Sequence, residues 1–224
     1  AATSELPVSY TSSPPDVVRI DGTQAVILKP GTVTIIASQK GSSLFNPAPD
    51  VEQQLVVNKA NQIITFNVLS EKTFGDPPFT LTATSDKGQT ISYTSSDPSV
   101  ASVEGNTVTI LKPGTVTITA SQEGSLFFNP AVSVEQQLVV SKADQHIVFN
   151  PLPSKDIGDA DFALTATSDS PLPITYTSSD PDVASISGST VTILSRGTTT
   201  IAASQPADPY RNAASVEQVL EVTD

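Results

Sequence analysis

The sequence predicts an all-β fold of antiparallel β-sandwich modules in tandem, and three observations support this prediction. First, segments recur with a period of 83 residues, as the Y-T-S-S segments that begin at Tyr10, Tyr93 and Tyr176 show. Second, apolar residues alternate with threonine or serine over short stretches, which is the period-2 pattern of half-buried strands. Third, no segment keeps the 3.6-residue period of an amphipathic helix, and short strands separated by turns are typical of a sandwich.

The repeats divide the chain into two complete units and one truncated unit. L-K-P-G-T-V-T-I begins at Leu28 and Leu111, and its diverged copy L-S-R-G-T-T-T-I begins at Leu194. Self-similarity at a fixed period is the signature of repeated structural modules. The first unit contains no counterpart of the K-A-x-Q segment or of the F-T-L-T-A strand that open the second unit. The predicted domains are residues 1–57, 58–140 and 141–224.

The second unit is expected to contain six to seven short strands. Residues 62–66 are rich in β-branched side chains, and residues 79–84 alternate apolar residues with threonine. Gly105-Asn106 is a hairpin-type turn, because both residues accept positive φ. Lys112-Pro113-Gly114 is a second turn, in which proline presets φ and glycine is free to take a left-handed conformation.

One polar position breaks the alternation of the closing strand. Gln136 has the same parity as Leu138 and Val140, so its side chain is expected to point inward. Gln53 and Gln218 hold the same place in the other units. Either a β-bulge or a strand end resets the parity here, which is the favoured interpretation, or the amide is buried and hydrogen-bonded.

The charge balance excludes several classes of function. The chain has 11 basic and 23 acidic residues, and its net charge is −12. Such a protein repels phosphate backbones and anionic lipid surfaces, so neither nucleic-acid binding nor membrane docking is expected. No apolar run approaches the roughly 18 residues of a membrane-spanning helix. Because a chain without methionine cannot begin at its own translation start, the sequence is expected to be a fragment of a longer protein.

The segment from Ile91 to Ala120, I-S-Y-T-S-S-D-P-S-V-A-S-V-E-G-N-T-V-T-I-L-K-P-G-T-V-T-I-T-A, resembles the bacterial immunoglobulin-like domains of the second group. Modules of that intimin- and invasin-type family combine an aromatic residue before S-S, a V-A-x-V motif and a T-x-T-I-T-A strand. The first unit departs from it with Val17-Val18-Arg19-Ile20. The resemblance implies immunoglobulin-like sandwiches of a large extracellular bacterial surface protein, and it supplies no catalytic residues.

The single histidine, His146, is expected to be a surface or edge-strand residue, because Ile63 holds its place in the preceding unit. One histidine without cysteine cannot build the usual catalytic or metal sites. No catalytic, cofactor-binding or metal-binding residues are therefore predicted, and the chain is predicted not to be an enzyme.

Two aspartate pairs are the nearest approach to a cation site. Asp180-Pro-Asp182 and Asp159-Ala-Asp161 carry the oxygen ligands that calcium prefers. Asp-Pro is also an ordinary turn signal, and neither pair recurs fully in the other units. The two pairs are interpreted as solvated turn residues, with calcium binding as the alternative.

Loop aromatics, threonine rows and two lysines also have functional and structural interpretations. Loop side chains at matching places are expected to cap the sandwich ends, with packing between modules and sugar stacking as alternatives. These side chains are Phe127, Phe128, Leu44, Phe45 and Tyr210. Threonine rows such as Thr115, Thr117 and Thr119 are interpreted as ordinary solvent-facing strand residues. A Lys–Asn isopeptide bond is conceivable at Lys59 or Lys142, although only the residue types suggest it.

The junctions between units, L-V-V-N-K-A-N-Q and L-V-V-S-K-A-D-Q, contain neither glycine nor proline. Limited bending and an elongated rod of modules that contact only their neighbours are therefore expected. The predicted function is a non-catalytic spacer or stalk of an extracellular bacterial surface protein, such as an adhesin, at the cell surface or secreted. The alternatives are a carbohydrate-binding accessory module and a filament subunit that uses strand complementation at the first unit. Host-cell, glycan or self partners are expected to bind outside this fragment.

Overall fold

The computed structural model describes residues 5–224, and its regular structure is β-strand. No helix occurs within this range, so the predicted all-β fold is confirmed. Antiparallel pairing occurs in every repeat, and each complete repeat also has a short parallel strand pairing. Residues 1–4, which belong to the first repeat by sequence, lie outside the described residues.

The first repeat contains five strands among its described residues. They are β1 (Ser9–Ser13), β2 (Val18–Asp21), β3 (Gln24–Ile27), β4 (Gly31–Gln39) and β5 (Ala48–Val57). One antiparallel sheet has the order β1-β4-β5, and β2 and β3 form a separate hairpin. The buried core of this repeat is small: Val17, Val18 and Val33, with Ile20, Ile35 and Val57 packed against them.

The second repeat adds four short strands before the counterparts of those five. The added strands are β6 (Ile64–Thr65), β7 (Lys72–Thr73), β8 (Phe79–Thr80) and β9 (Thr84–Ser85). The others are β10 (Ser92–Ser95), β11 (Ala101–Glu104), β12 (Thr107–Ile110), β13 (Gly114–Ser121) and β14 (Val134–Ser141). The sheets have the orders β10-β13-β14-β7, β11-β12-β8 and β6-β9.

The third repeat has the same organisation. Its strands are β15 (Ile147–Val148), β16 (Lys155–Asp156), β17 (Phe162–Ala163), β18 (Thr167–Ser168), β19 (Thr175–Ser178), β20 (Ala184–Ser187), β21 (Thr190–Ile193), β22 (Gly197–Gln205) and β23 (Ala214–Thr223). The sheets have the orders β16-β23-β22-β19, β17-β21-β20 and β15-β18. Leu220 and Ile201 of one sheet and Val191 of another share a single buried core, which is the arrangement of a β-sandwich.

The opening segment of the second repeat, residues 59–86, differs from its sequence-based prediction. Residues 79–84 were expected to form one strand. Instead, two separate short strands occur there: β8 pairs with β12 in one sheet, and β9 pairs with β6 in another. Leu81 lies between the two pieces and is buried, so the chain crosses the core there. A complete repeat consequently contains nine short strands, not six or seven. Alternation of side chains is the same on either sheet, and so the pattern could not reveal the change of partner.

The predicted turns are present, and each has a glycine with positive φ. Glu104 pairs with Thr107 across a two-residue loop, in which Gly105 has φ +59°. Gly114 has φ +152°, and a Cβ atom there would lie 3.2 Å from a methyl group of Val100. The glycine of the K-P-G turn therefore serves both the backbone conformation and the close approach of a core valine.

The inward glutamine of the closing strand is hydrogen-bonded. In the third repeat, the pairing of β22 with β23 is continuous, and Gln218 lies opposite Ile201 without a bulge. The side-chain nitrogen of Gln218 donates to the main-chain oxygen of Phe149, 2.8 Å away. The favoured bulge is therefore wrong at Gln218, because a main-chain acceptor satisfies the half-buried amide.

Two compact units divide the described chain, and their boundary passes through the second repeat. One unit comprises residues 5–67, Thr82–Tyr93 and Thr119–Glu135, and the other comprises Val68–Leu81, Thr94–Ile118 and Gln136–Asp224. The units therefore do not follow the repeat boundaries. The three predicted domains and the elongated rod remain predictions.

Candidate functional site

Strand β5 of the first repeat presents an exposed apolar face at the edge of its sheet. Nine of its ten residues are exposed, and Val51 and Leu55, which point to the same face, are 58% and 37% exposed. In the second repeat, the same seven letters V-E-Q-Q-L-V-V lie in β14, where Val134, the counterpart of Val51, is half-buried and Leu138, the counterpart of Leu55, is 0% exposed. Since the sequence is identical, the difference in burial comes from what packs on the strand.

A cavity of about 320 Å³ opens on this face. It is lined by Val8, Tyr10, Ala37, Ser38, Gln39, Ala48, Pro49 and Val51. Ala37 is half-buried, whereas its counterpart Ala120 in the second repeat is fully buried; Gln39 and its counterpart Gln122 are both buried. The cavity therefore marks an uncovered part of the first repeat.

In the second repeat, the K-A-x-Q segment covers this region, and its glutamine makes the central contacts. The side-chain nitrogen of Gln62 donates to the side-chain oxygen of Gln122 and to the main-chain oxygen of Asn129, the latter 2.7 Å away. The hydroxyl of Ser85 donates to the side-chain oxygen of Gln62 at 3.1 Å. Because buried amides need such partners, this network fixes the place of the opening segment.

The third repeat builds a similar network from the corresponding glutamines. The side-chain nitrogen of Gln145 donates to the main-chain oxygens of Pro206 and Asn212, at 3.0 and 2.5 Å. The hydroxyl of Ser168 donates to the side-chain oxygen of Gln205 at 2.6 Å. Sequence reasoning did not single out these glutamines, although their recurrence at the repeat period was the available signal.

The tyrosine of Y-T-S-S provides a second contact with the opening segment. The hydroxyl of Tyr93 accepts a hydrogen bond from the main-chain nitrogen of Ala83 at 2.8 Å. The ring of Tyr93 meets the ring of Phe66 edge to face, with 5.8 Å between the ring centres. The third repeat repeats both contacts with Tyr176, Ala166 and Phe149.

A short parallel strand provides the third contact. Lys72 and Thr73 of β7 pair with Val140 and Ser141 of β14, and β16 pairs with β23 in the same way. The described residues of the first repeat include no counterpart of β7, of Gln62 or of Phe66. All three contacts are therefore missing there, and Tyr10 is 37% exposed.

The loop aromatics only partly follow their predictions. The ring of Tyr210 packs on Phe74, with 5.0 Å between the ring centres, and these residues belong to different repeats. Packing between modules, the alternative interpretation, is therefore correct for Tyr210. Leu44, Phe45 and Phe127 are 85%, 52% and 46% exposed, so the expectation that they cap a sandwich end is wrong for them. Their loops project these side chains outward.

His146 is exposed, as expected, directly before β15, and it is paired with a carboxylate. Its main-chain nitrogen donates to Asp169 at 2.9 Å, and Nδ1 of its ring lies 3.0 Å from the same carboxylate. These hydrogen bonds, the main-chain one first, hold the pKa of Asp169 below its ordinary value. Asp86 receives the main-chain amide of Ile63 in the same way, so the contact is structural in both repeats.

The aspartate pairs are engaged in turns. The main-chain nitrogen of Asp182 donates to the Asp180 side chain at 3.1 Å, and Asp159 receives the main-chain amide of Asp156 at 3.3 Å. The contact of Asp180 is an Asx turn, which an Asp-Pro sequence favours, whereas Asp159 accepts from the strand residue three positions before it. Among residues 5–224, no group of three or more histidine, aspartate or glutamate side chains is placed to hold a metal ion.

Both lysines considered for an isopeptide bond donate to main-chain oxygens. Nζ of Lys59 lies 2.7 Å from the oxygen of Ser125, and Nζ of Lys142 lies 2.8 Å from the oxygen of Asp208. Both side chains are exposed. These hydrogen bonds tie the start of each complete repeat to its own loop.

No helix with the length and hydropathy needed to cross a membrane occurs in the described part of the chain. No protein-family model and no curated protein matches the sequence. The chain is similar to a solved structure of Drosophila N-cadherin EC1-3, at 14% identity over 97% of this chain and 89% of that chain, with a TM-score of 0.35.

Two other similarities are equally distant. Sidekick-1 immunoglobulin domains 1-5 match at 15% identity over 96% of this chain and 52% of that chain, with a TM-score of 0.35. An endo-fucoidan hydrolase from glycoside hydrolase family 107 matches at 12% identity over 96% of this chain and 38% of that chain, with a TM-score of 0.28. Similarities this weak do not bear on function.

Proposed function

We propose that this chain is a non-catalytic spacer segment of an extracellular bacterial surface protein. The observation that carries the proposal is the direct joining of the second and third repeats. The ring of Phe74 in the second repeat packs on the ring of Tyr210 in the third repeat, with 5.0 Å between the ring centres. A contact between neighbouring repeats supports limited bending, which a spacer needs to hold distant parts of a protein apart.

Hydrogen bonds also hold the segment that connects the second repeat to the third. Strand β14 ends at Ser141, and the main-chain nitrogen of Ala143, two residues later, donates to the oxygen of Tyr210 at 3.0 Å. The main-chain nitrogen of Asn212 in turn donates to the main-chain oxygen of Ala143 at 2.9 Å. Because a linker bends through free backbone dihedrals, a segment with these hydrogen bonds supports limited bending.

The proposed lack of catalysis is supported by how the candidate polar groups are used. The carboxylate of Asp169 is hydrogen-bonded to the main-chain amide and the ring of His146. The carboxylate of Asp180 accepts a hydrogen bond from the main-chain amide of Asp182 in its own turn. A catalytic site requires a nucleophile or base directed towards a pocket together with an orienting partner. These groups stabilise strands and turns instead.

Small-angle X-ray scattering over a concentration series, with calcium and with chelator, tests the proposal. A compact monomer of this length has a radius of gyration of about 17 Å. Three modules of about 30 Å in line give a rod of about 90 Å and a radius of gyration of about 26 Å. We expect the larger value at every concentration, independent of calcium, whereas a compact particle contradicts the spacer function.

The variant Tyr210→Ala tests the junction itself. Removal of the ring that packs on Phe74 is expected to broaden the distribution of interatomic distances, because the two repeats lose their ring contact. Leu126→Ala is the matched control, since Leu126 is a 60% exposed loop residue. An unchanged distribution for Tyr210→Ala would show that this aromatic pair does not restrict bending.

Carbohydrate binding remains a second candidate, and one observation favours it. The exposed rings of Phe45 and Phe127 lie in loops, where an aromatic ring can stack on a sugar. Pull-down with insoluble polysaccharides tests this candidate. Binding that disappears in Phe45→Ala and Phe127→Ala would support it, and no retention on any polysaccharide would oppose it.

A further inference from the structure

Main-chain hydrogen bonds join the start of the third repeat to residues just before its closing strand. Ala143 and Arg211 form a parallel β-bridge. The nitrogen of Ala143 donates to the oxygen of Tyr210 at 3.0 Å, and the nitrogen of Asn212 donates to the oxygen of Ala143 at 2.9 Å. The first residues of the repeat are therefore held by a segment that continues directly into β23, which begins at Ala214.

A second parallel contact lies further along the same opening segment. Strand β16 pairs with the end of β23 in parallel register, Lys155 with Val222 and Asp156 with Thr223. The main-chain nitrogen of Ile157 extends this pairing by donating to the oxygen of Thr223 at 3.0 Å. The bridge and the strand pair join the opening and closing parts of one repeat in the same parallel sense, and we call them together the terminal clasp.

Side chains reinforce both parts of the clasp. At the bridge, Nδ2 of Asn212 donates to the carboxylate of Asp144 at 2.8 Å, and the carboxamide of Gln145 donates to the main-chain oxygen of Asn212 at 2.5 Å. At the strand pair, the hydroxyl of Thr223 donates to the carboxylate of Asp156 at 2.6 Å. Because Gln145 is only 6% exposed, water has little access to compete for its hydrogen bond.

The second repeat has the same clasp. Ala60 forms a parallel bridge with Phe128, and β7 pairs in parallel with the end of β14. The main-chain nitrogens of Ala60 and Asn129 donate across the bridge, each at 2.9 Å. Phe128 stands where the third repeat has Arg211, so the clasp recurs with a different side chain at its bridge. The main-chain pairing is therefore the feature that the two repeats share.

The parallel sense of the clasp decides how it responds to tension. In a chain pulled at both ends, the opening segment is drawn towards the N-terminus and the closing strand towards the C-terminus. Two segments that run in the same direction are then drawn past each other, so the hydrogen bonds between them are loaded together. Terminal strands in antiparallel pairing are instead pulled from one end, and their hydrogen bonds break one after another.

We propose that each complete repeat is a load-bearing module, in which the terminal clasp must shear before the repeat extends under tension. The inference rests on the proposed spacer function, since a spacer anchored at one end and bound at the other carries the load between them. It adds a specific mechanical element to that function. In the third repeat, this element is the pairing of residues 142–157 with residues 208–223.

Single-molecule pulling on the full chain tests the clasp. The chain contains no cysteine, so Ser141→Cys and Asp224→Cys provide unique attachment points at the two boundaries of the third repeat. Unfolding should lengthen the molecule by about 250 Å, from about 3.4 Å per extended residue less about 30 Å for the folded module. We expect one such step. Release of residues 142–157 in a separate step at lower force would overturn the proposal, since the clasp would not carry the load.

The direction of pulling provides a control within the same repeat. Asp161→Cys with Asp224→Cys places two exposed attachment points beyond the same end of the β16–β23 pair. Tension then peels β23 away from Thr223 onwards, so the hydrogen bonds are loaded in turn. We expect an unfolding force at least about twofold lower than between residues 141 and 224. Equal forces in the two directions would contradict a clasp that resists shear.

Two proline variants locate the hydrogen bonds that carry the load. Ala143→Pro removes the N–H group of the bridge, and Ile157→Pro removes the N–H group that extends the strand pair. Asp161→Pro is the matched control, because Pro78 holds this place in the second repeat. At a fixed force between residues 141 and 224, each clasp variant should unfold at least about fivefold faster, and the control should not change. Unchanged rates in both clasp variants would overturn the proposal.

A milder variant guards against loss of the fold. Amide exchange of β20, β21 and β22 shows whether each proline variant remains folded. Thr223→Val keeps the shape of the side chain and removes only the hydroxyl that donates to Asp156. This variant should also unfold faster at the same fixed force, and an unchanged rate would exclude this side chain from the clasp.

Failure of the clasp and failure of the spacer function give different results. Scattering measures the shape of the chain without load, whereas pulling measures its resistance. An elongated monomer with equal forces in both directions would retain the spacer and remove the clasp. A compact particle with direction-dependent forces would retain the clasp and remove the spacer function.

Discussion

The first and second repeats share long identical segments, yet the two differ in what they bury. V-E-Q-Q-L-V-V is exposed along β5 and half-buried or buried at alternate positions along β14. The buried core of the first repeat comprises three valines, whereas the core shared by the sheets of the third repeat comprises ten residues. Burial of a strand therefore depends on the opening segment as much as on the strand's own sequence.

The same comparison shows what does not depend on the opening segment. The two-residue hairpin loop and the K-P-G turn have the same backbone in both repeats, with Gly22 at φ +60° and Gly105 at φ +59°. Turns are fixed by local backbone preferences, whereas burial is fixed by partners distant in sequence. The two repeats thus separate local from non-local determinants of structure within one chain.

Truncation of the same leucine in both repeats is expected to give the largest contrast. Leu138 is fully buried and its counterpart Leu55 is 37% exposed. Leu138→Ala should destabilise the second repeat by about 3 kcal/mol, because it removes buried methyl groups and leaves a cavity. Leu55→Ala should cost less than about 1 kcal/mol, since the site is already partly hydrated.

Amide exchange of each repeat in increasing urea measures the two effects separately. Leu44→Ala, an 85% exposed loop position, serves as the control for truncation without burial. Equal losses for Leu138→Ala and Leu55→Ala would mean that the face of the first repeat is covered in solution.

Replacement of the K-P-G glycine is expected to have a smaller effect, and the two repeats should lose similar stability. Gly31 and Gly114 have φ +153° and +152°, and a Cβ atom would lie 2.9 Å from Val17 and 3.2 Å from Val100. Alanine at either position should cost about 2 kcal/mol, through the strained backbone and the crowded valine. Similar losses in the two repeats would show that the first repeat folds its turn and small core without an opening segment.

Gly105→Ala is the matched control, because no atom lies within 4 Å of the added Cβ atom. Only the positive φ is then unfavourable for alanine, and a loss of about 1 kcal/mol in the free energy of unfolding is expected. Amide exchange of β11 and β12 reports it. If Gly31→Ala left the exchange of the first repeat unchanged, that repeat would not hold the turn in solution.

Replacement of the buried glutamine should give an effect of about 1–2 kcal/mol. Gln62→Ala removes a carboxamide that binds Gln122, Asn129 and Ser85, and it leaves their buried groups without a partner. Gln39→Ala should change little, because the described residues of the first repeat offer no counterpart of Gln62. Urea unfolding followed by exchange of β6 and β9 measures the loss, and equal costs at both positions would remove the glutamine pair as a source of the difference.

The sequence predicted those features that local patterns determine. The 83-residue period, the hairpin at Gly105 and the K-P-G turn at Gly114 all depend on neighbouring residues, and the structure contains them. The predicted single strand at residues 79–84 was wrong because its halves pair with different sheets. A change of sheet leaves no trace in the alternation of side chains.

The candidate site was anticipated only in outline. Absence of an opening segment was visible in the alignment of the repeats, and it suggested an exposed edge. The contacts that define the face, Gln62 with Gln122 and Tyr93 with Ala83, join residues 60 and 10 positions apart. No local pattern specifies such a pair, since a glutamine side chain usually faces solvent.

The smallest expected effect is a pH dependence present in the complete repeats. The main-chain amide of His146 holds the pKa of Asp169 below its ordinary value, and that of Ile63 does the same for Asp86. A lowered pKa in the folded state contributes stability that is complete above the ordinary aspartate pKa and lost as pH falls through the folded value. Protection of the amides of β15 and β18, relative to their intrinsic exchange rates at each pH, should therefore fall below about pH 4.

Two variants separate the causes of this acid sensitivity. Asp169→Asn keeps an oxygen for the His146 amide but cannot titrate, so the acid-dependent step in β15 and β18 should disappear. His146→Ile restores the residue found at position 63 and keeps the main-chain donor, so most of the step should remain because that amide is the main cause of the lowered pKa. If His146→Ile abolished the step, the imidazole and not the backbone would set the carboxylate's behaviour, and the third repeat would differ in this respect from the second.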